Sequence, residues 1–445
     1  MNQPEDVEVI LSHDQRYMFH SSVLVRSSSF FAKLLTVGTA VKLSHKAKNA
    51  GIKIKWRVIL SRLPNSTNPG VLELLELDNS GKPCGRYQPI VMNQNGRVPT
   101  RTLDHYQSIL YTFYNEDLVI KDDDIHSALA DACSILGIAE YLGCTSSISK
   151  AIDVALVKHG QQLFRSIQSA PCAWARLGHR IKSELIFKEA IVHLAGDWRN
   201  FQGNREVLRN LKNISPEIEA ICEKHHHHLI TKGKKLELEL ASLYPGGMAK
   251  PSLDLPIKRE EYSRDILVWI ALTFFRHWLA QRIISEKGYA GRDSGYELYT
   301  QIRAGGDAYM DKTVMNQFHG RFPMTKKAMN VVENHLLEIK ECMKGCVIAH
   351  GILDSNCQLD THRFPVNYLT CTKVDKEDLP WFVSEDSASG EKRARPLGGN
   401  EIVERNLAAA DALRALEEED WDEEGEDEED PLAEGGASGK RPRLT

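Results

Sequence analysis

The side chains able to do chemistry in this chain are its thiols, imidazoles and carboxylates, and their spacing sorts them. Cys342, Cys346 and His350 recur every fourth residue within one helical pattern, and Cys357 and His362 come next. Thiolate and imidazole are ligands that zinc prefers, but structural zinc sites pair short turns rather than three successive helical steps. Cysteine is also a common core residue, so packing is the expectation and no metal is assigned. His225, His226, His227 and His228 are consecutive. Successive helical positions point about 100° apart, so four in a row cannot converge on one ion, and a solvated helix face is expected. Lys224, Lys232, Lys234 and Lys235 surround that run. Phosphate binding needs a clustered basic face, and readout needs an element that enters a groove. Neither pattern is visible, so direct nucleic-acid binding is not expected.

Catalytic spacings are missing. The chain has no Gly-rich phosphate loop, no G-x-S-x-G elbow and no H-E-x-x-H helix. Its carboxylates crowd toward the C-terminus, where nothing fixes the geometry that acid–base chemistry needs. No catalytic residue and no cofactor is assigned, and a non-enzymatic protein is expected.

The charge distribution then divides the 445 residues. Residues 384–445 hold 19 acids against 8 bases, leaving 42 acids and 48 bases in the rest. A mildly basic body therefore precedes an acidic tail. Within that tail, residues 417–430 carry twelve acids in fourteen positions, and such a run cannot bury enough surface to offset chain entropy. Disorder is expected there, with a short helix over 401–419. Two basic clusters share the spacing K-R-x-R: Lys392, Arg393 and Arg395, then Lys440, Arg441 and Arg443. They suggest nuclear import, with the cytoplasm as the alternative. The start, MNQPEDVEV, does not read as a secretory signal. The longest apolar run, residues 266–275, is far short of the ~20 residues of a membrane span, so a buried helix and no membrane contact are expected. Nine scattered cysteines read as reduced thiols.

Periodicity gives an α+β chain. Val7, Val9 and Leu11 alternate as a short strand. In IKIKWRVIL, Ile52, Ile54, Trp56, Val58 and Leu60 share a face opposite Lys53, Lys55 and Arg57, which predicts a half-buried strand. Turn residues at 64–66, 68–70, 79–81 and 95–96 make residues 50–97 read as an antiparallel meander. Helical spacing takes over near Leu103 and dominates to Gly351, with helices expected over 148–158, 161–167, 182–194, 216–243, 260–286 and 326–349. Trp269, Phe274, Phe275 and Trp278 gather on one side of the fifth of these. Core packing is their expected role, with part of the cluster available to a partner. The divisions are 1–150 (strands enlarged at about 40–100), a helical region over 151–383, and the tail over 384–445.

The opening DVEVILSHDQRYMFHSSVLVRSSSFF resembles the start of a BTB/POZ domain through Asp6, Val7, Phe19, His20, Val23, Leu24, Ser28 and Phe31. SILYTFYNEDLVI and DACSILGIAEYLGC resemble that family's later helix-to-strand element and its closing helices. The helical continuation is similar to BTB proteins of filamentous fungi. The resemblance implies a protein-interaction scaffold that self-associates or engages a cullin ubiquitin ligase as a substrate adaptor. Its alternative is a nuclear transcription- or chromatin-associated factor using the acidic tail. Leu74, Leu75 and Glu76 fit the hydrophobic-x-Glu element of cullin adaptors. Five residues before Asp6 leave no room for the swapped elements of dimeric members, and Ser21 stands where corepressor-binding members carry a base. His20 and Asp6 themselves read as structural residues.

Overall fold

The computed structural model describes residues 4–62, 69–85, 87, 89, 100–204, 216–245 and 266–382. The turns at 64–66 and 95–96 and the whole tail with both K-R-x-R clusters lie outside these residues.

The only sheet among the described residues has four short strands: β1 (Val7–Ile10), β2 (Arg16–Phe19), β3 (Trp56–Arg62) and β4 (Val71–Leu75), in the order β2-β1-β3-β4. β1 pairs antiparallel with β2, but its pairing with β3 is parallel, Val7 lying opposite Trp56. The expected meander over 50–97 is thereby corrected. Alternation fixes which face of a strand is buried, not the direction of its neighbour. A parallel neighbour requires a crossover, supplied here by α1 (Ser21–Ser27), α2 (Ser29–Leu34) and α3 (His45–Asn49). Only β3 and β4 form the expected antiparallel step, with a register shift between Leu60 and Arg62. Ile52 and Ile54 are half-buried and precede β3 rather than joining it.

The eight residues of the N-terminal pattern assemble one packed layer. Val7, Phe19, Val23, Leu24 and Phe31 are buried in it. Ser28 caps α2 by accepting from Phe31 N–H at 3.2 Å, and it donates to the Leu142 carbonyl at 2.6 Å. Asp6, also buried, accepts from Ser21 N–H at 2.7 Å and Ser21 Oγ at 2.9 Å, tying the sheet to the first turn of α1. His20 stands at the start of α1, and its backbone N–H donates to Tyr114 Oη at 2.7 Å.

Two helices complete this layer, α4 (Thr100–Thr112) and α5 (Ile125–Leu142). Asp124 caps α5 by accepting from His126 and Ser127 N–H, and Gly143 ends it at φ +63°. A Cβ there would overlap Ser29 Oγ, so conformation and crowding both call for glycine. Next come α6 (Thr145–Val157), α7 (Gln161–Ser169), α8 (Pro171–Ile181), α9 (Glu184–Gly196) and α10 (Trp198–Gln202). α9 is buried almost all round from Ile186 to Gly196, the mark of a central helix. One hydrophobic core runs from Val7 through these helices to Leu379, so residues 1–150 share their interior with the helices beyond them.

A second core is built by α11 (Pro216–Ser242), α12 (Ile266–Ile284), α13 (Tyr296–Ala304), α14 (Lys312–Arg321) and α15 (Lys326–His350). Between α13 and α14 a 3-10 turn, Gly306–Ala308, is held by a buried lysine. Lys340 Nζ donates to the carbonyls of Gly306, Tyr309 and Met310 at 2.7, 2.8 and 3.1 Å. After α15 a largely irregular strap, residues 352–382, returns across both cores. Its Leu359, Val366, Tyr368, Val374 and Leu379 enter the first, and its Leu369 and Cys371 the second.

Candidate functional site

α12 is a long apolar helix only half covered. Ala271, Leu272, Phe275, Trp278 and Leu279 face the second core, whereas Trp269, Ile270 and Phe274 are half-buried and Ile266 is 53% exposed. The expected buried helix is therefore corrected: consecutive aromatics at 274 and 275 point about 100° apart, and only Phe275 turns inward. Beside the outer face lies α14, whose Phe318 ring stacks on Phe274 with centroids 4.2 Å apart. Phe318 also meets Phe322 at 5.1 Å, and Tyr244 packs edge-on to Trp269 at 6.0 Å. Between them is a groove of about 1120 Å³, walled by these aromatics with Ile270, Val314 and Met324. Its polar rim is Thr273, His277, Gln281, Gln317 and Arg321, and none of its described lining residues is acidic. Such a surface can receive an apolar side-chain row flanked by carboxylates.

The His and Cys candidates fall elsewhere. The histidine run is split by the helix rather than uniformly solvated. His225 is buried, with Nε2 3.2 Å from Asp378, His226 Nδ1 lies 3.0 Å from the Ala195 carbonyl, and His227 and His228 are exposed. Burial lowers the pKa of both His225 and His226, opposed in turn by Asp378 and by the Ala195 carbonyl. Lys224 also pairs with Asp378. Cys342 is exposed, correcting its core reading, because the inner face of α15 runs through Val332, Leu336, Ile339, Met343 and Val347. Cys346 and His350 are half-buried, and Cys346 Sγ lies 3.9 Å from Glu239. Glu237 is buried in the second core, where it accepts from Tyr299 Oη at 2.8 Å and Tyr289 N–H at 2.6 Å. Burial raises its carboxyl pKa, while those two donors oppose the rise.

Donors that do converge come from α9 and the strap. Glu189, His193 and Cys357 place one oxygen, one nitrogen and one sulfur within 4.8 Å of one another, the only such trio among the described residues. Sequence reading missed it because Cys357 reaches α9 only through the returning strap. The Glu189-x₃-His193 spacing was the sole local sign.

Comparison with known families gives a match to an FF domain over residues 245–350. Among curated proteins nothing matches, and among solved structures nothing matches. The match contains α12 to α15 and most of the groove wall. It overturns the BTB/POZ resemblance and, with it, the expectations of BTB self-association, cullin adaptor duty and a BTB nuclear factor. The physical source of that resemblance is plain. Asp6, Val7, Phe19, Val23, Leu24, Ser28 and Phe31 are cap and core residues, as many sheet-on-helix layers would require, and packing residues do not specify a family. Leu74 and Leu75 end the edge strand β4, with Glu76 exposed just beyond it. An FF domain is a protein-interaction module, so protein partners remain the general expectation. No described helix is long and apolar enough to cross a membrane.

Proposed function

We propose that the protein is a non-enzymatic interaction scaffold whose FF-like segment docks an amphipathic peptide with apolar anchors and acidic flanks in the α12–α14 groove. The observation that supports this reading is an aromatic groove with Arg321 and His277 at its rim and no acid among its described lining residues. Anchors at i, i+3, i+4 and i+7 of a bound helix would meet the aromatic wall. Carboxylates beside them would meet Arg321.

Isothermal titration of the full chain with a synthetic peptide of Leu and Phe anchors separated by Asp and Glu tests the proposal. Saturable binding is expected, weakened at least tenfold by Arg321→Glu and weakened by added salt. Equal affinity for the same peptide with Lys in place of the acids would refute the charge argument. No binding to either would refute the groove.

We further propose that the protein acts in the nucleus, on the strength of Lys392, Arg393, Arg395, Lys440, Arg441 and Arg443. Imaging a fluorescent fusion with all six changed to Ala tests it. An unchanged nuclear distribution would remove the import role, and a wholly cytoplasmic parent would remove the proposal.

A further inference from the structure

Glu189 and His193 lie one turn apart on α9 and are 2% and 0% exposed. The separation of Glu189 Oε1 from His193 Nε2 is 3.4 Å. A tetrahedral zinc ion holds oxygen and nitrogen at about 2.0–2.1 Å and sulfur at about 2.3 Å, which sets neighbouring ligand atoms about 3.3–3.6 Å apart. The carboxylate–imidazole edge already has that length. Cys357 Sγ lies within 4.8 Å of both, so a movement of at most about 1.2 Å completes the face.

Two further features point the same way. His193 Nε2 is wholly buried and makes no well-formed hydrogen bond, its polar neighbour being the Glu189 carboxylate at 3.4 Å, a pairing that an ion between the two atoms would complete. The other ring nitrogen, Nδ1, lies 2.9 Å from Tyr368 Oη. When Nδ1–H donates to that hydroxyl, the Nε2 lone pair is turned toward Glu189 and Cys357. This is the outer contact that orients metal-binding histidines. Glu189 is itself fixed, accepting from Gln358 N–H at 2.7 Å and Leu359 N–H at 3.0 Å. Each carboxylate oxygen keeps a second lone pair for an ion.

We propose that Glu189, His193 and Cys357 form a zinc site that pins the strap to α9. The mixed oxygen, nitrogen and sulfur set suits a borderline-soft divalent ion, not calcium or magnesium. A cleft of about 550 Å³ lined by Glu189, Asn356, Gln358 and Thr372 opens on the Glu189 side of the trio, the side from which water would supply the fourth ligand. On binding, the Cys357 thiol gives up its proton to solvent and coordinates as thiolate.

The test is titration of the chelator-stripped full chain with cobalt(II), followed by displacement with zinc. One equivalent of cobalt should give the visible bands of a tetrahedral ion and a near-ultraviolet thiolate charge-transfer band, and zinc should erase both. Cys357→Ser should abolish the charge-transfer band. Tyr368→Phe should keep it while weakening zinc affinity about tenfold or more. Cys346→Ser controls for the rival donors His228, Glu239, Cys346 and His350, which border a separate cleft, and should change nothing. Cys357 is only half-buried, and circular dichroism of its variant separates lost ligation from lost folding. Absence of stoichiometric binding, a band that survives Cys357→Ser, or a band lost in Cys346→Ser would overturn the proposal. An unchanged affinity in Tyr368→Phe would overturn the orienting role of the tyrosine.

Discussion

Replacing Lys340 with Met isolates one buried cation. The lysine is 3% exposed and its ammonium serves three carbonyls, of Gly306, Tyr309 and Met310, at the turn that launches α14. It also lies 4.9 Å from the Tyr309 ring centroid. Methionine keeps the stem's bulk and removes the charge, so little cavity cost enters. Hydrogen bonds to a charged group contribute about 1.5–3 kcal/mol each, and three of them are lost. Relief from burying an ammonium offsets several kcal/mol of that sum, while three buried carbonyls lose their donor. The net expectation is a loss of about 3–5 kcal/mol, the range found when one partner of a buried charged contact is removed. That corresponds to roughly two to nearly four powers of ten in the unfolding equilibrium. Urea unfolding of the full chain reads it as a lower midpoint at unchanged slope. Because α14 carries Phe318, affinity for the acidic peptide should fall in the same variant under native conditions. A stability loss below about 1 kcal/mol at unchanged slope would refute the reasoning, since desolvation would then cancel the three contacts.

Three other outcomes are expected. Gly196→Ala should lower the thermal midpoint and cost about 1–3 kcal/mol or more, because the new Cβ would overlap the Leu369 carbonyl oxygen and lie 2.8 Å from Tyr368 Cδ2. Stability should fall on acidification: burial holds His105 and His225 below the ordinary histidine pKa, so the unfolded chain binds more protons. Their contribution is whole above about pH 6.5 and is lost as pH falls from there through the folded values, at up to about 1.4 kcal/mol per pH unit each; a flat midpoint between pH 7.5 and 5.5 would contradict it. Phe322→Ser, at a side chain 56% exposed, should weaken peptide binding in titration calorimetry while moving stability by no more than about 0.5 kcal/mol.

How much of the fold can be read from the sequence depends on how far apart the interacting residues lie. The helices at 148–158, 216–243 and 326–349 are legible because their apolar period is local, and the structure places helices at Thr145–Val157, Pro216–Ser242 and Lys326–His350. α8, α13 and α14 lie outside the expected helices, although α7, no longer than they are, is legible over 161–167. Strand faces are legible in Trp56, Val58 and Leu60, but the parallel partner of β3 is not, because it lies some fifty residues earlier. Around α12, helix phase separates Phe274 from Phe275 without saying which side another helix covers. The trio at Glu189 is hidden for the same reason: the hydrogen bond from Gln358 to Glu189 spans 169 residues. The N-terminal pattern misleads differently. Its residues do build an ordered layer, and the family drawn from them is wrong.

The returning strap also bears on how the chain acquires its structure during synthesis. Leu359, Val366, Tyr368 and Leu379 complete a core that begins at Val7, and Leu369 and Cys371 complete the other. Neither interior can close until nearly the last described residue has left the ribosome. The earlier helices must wait with apolar faces open to water, a period in which chaperone capture competes with misassembly. Contacts of such long sequence separation also make closure slow, because loop entropy is lost before packing compensates it. A nascent chain halted before residue 352 should therefore remain protease-sensitive even in α9, the most enclosed helix of the finished protein.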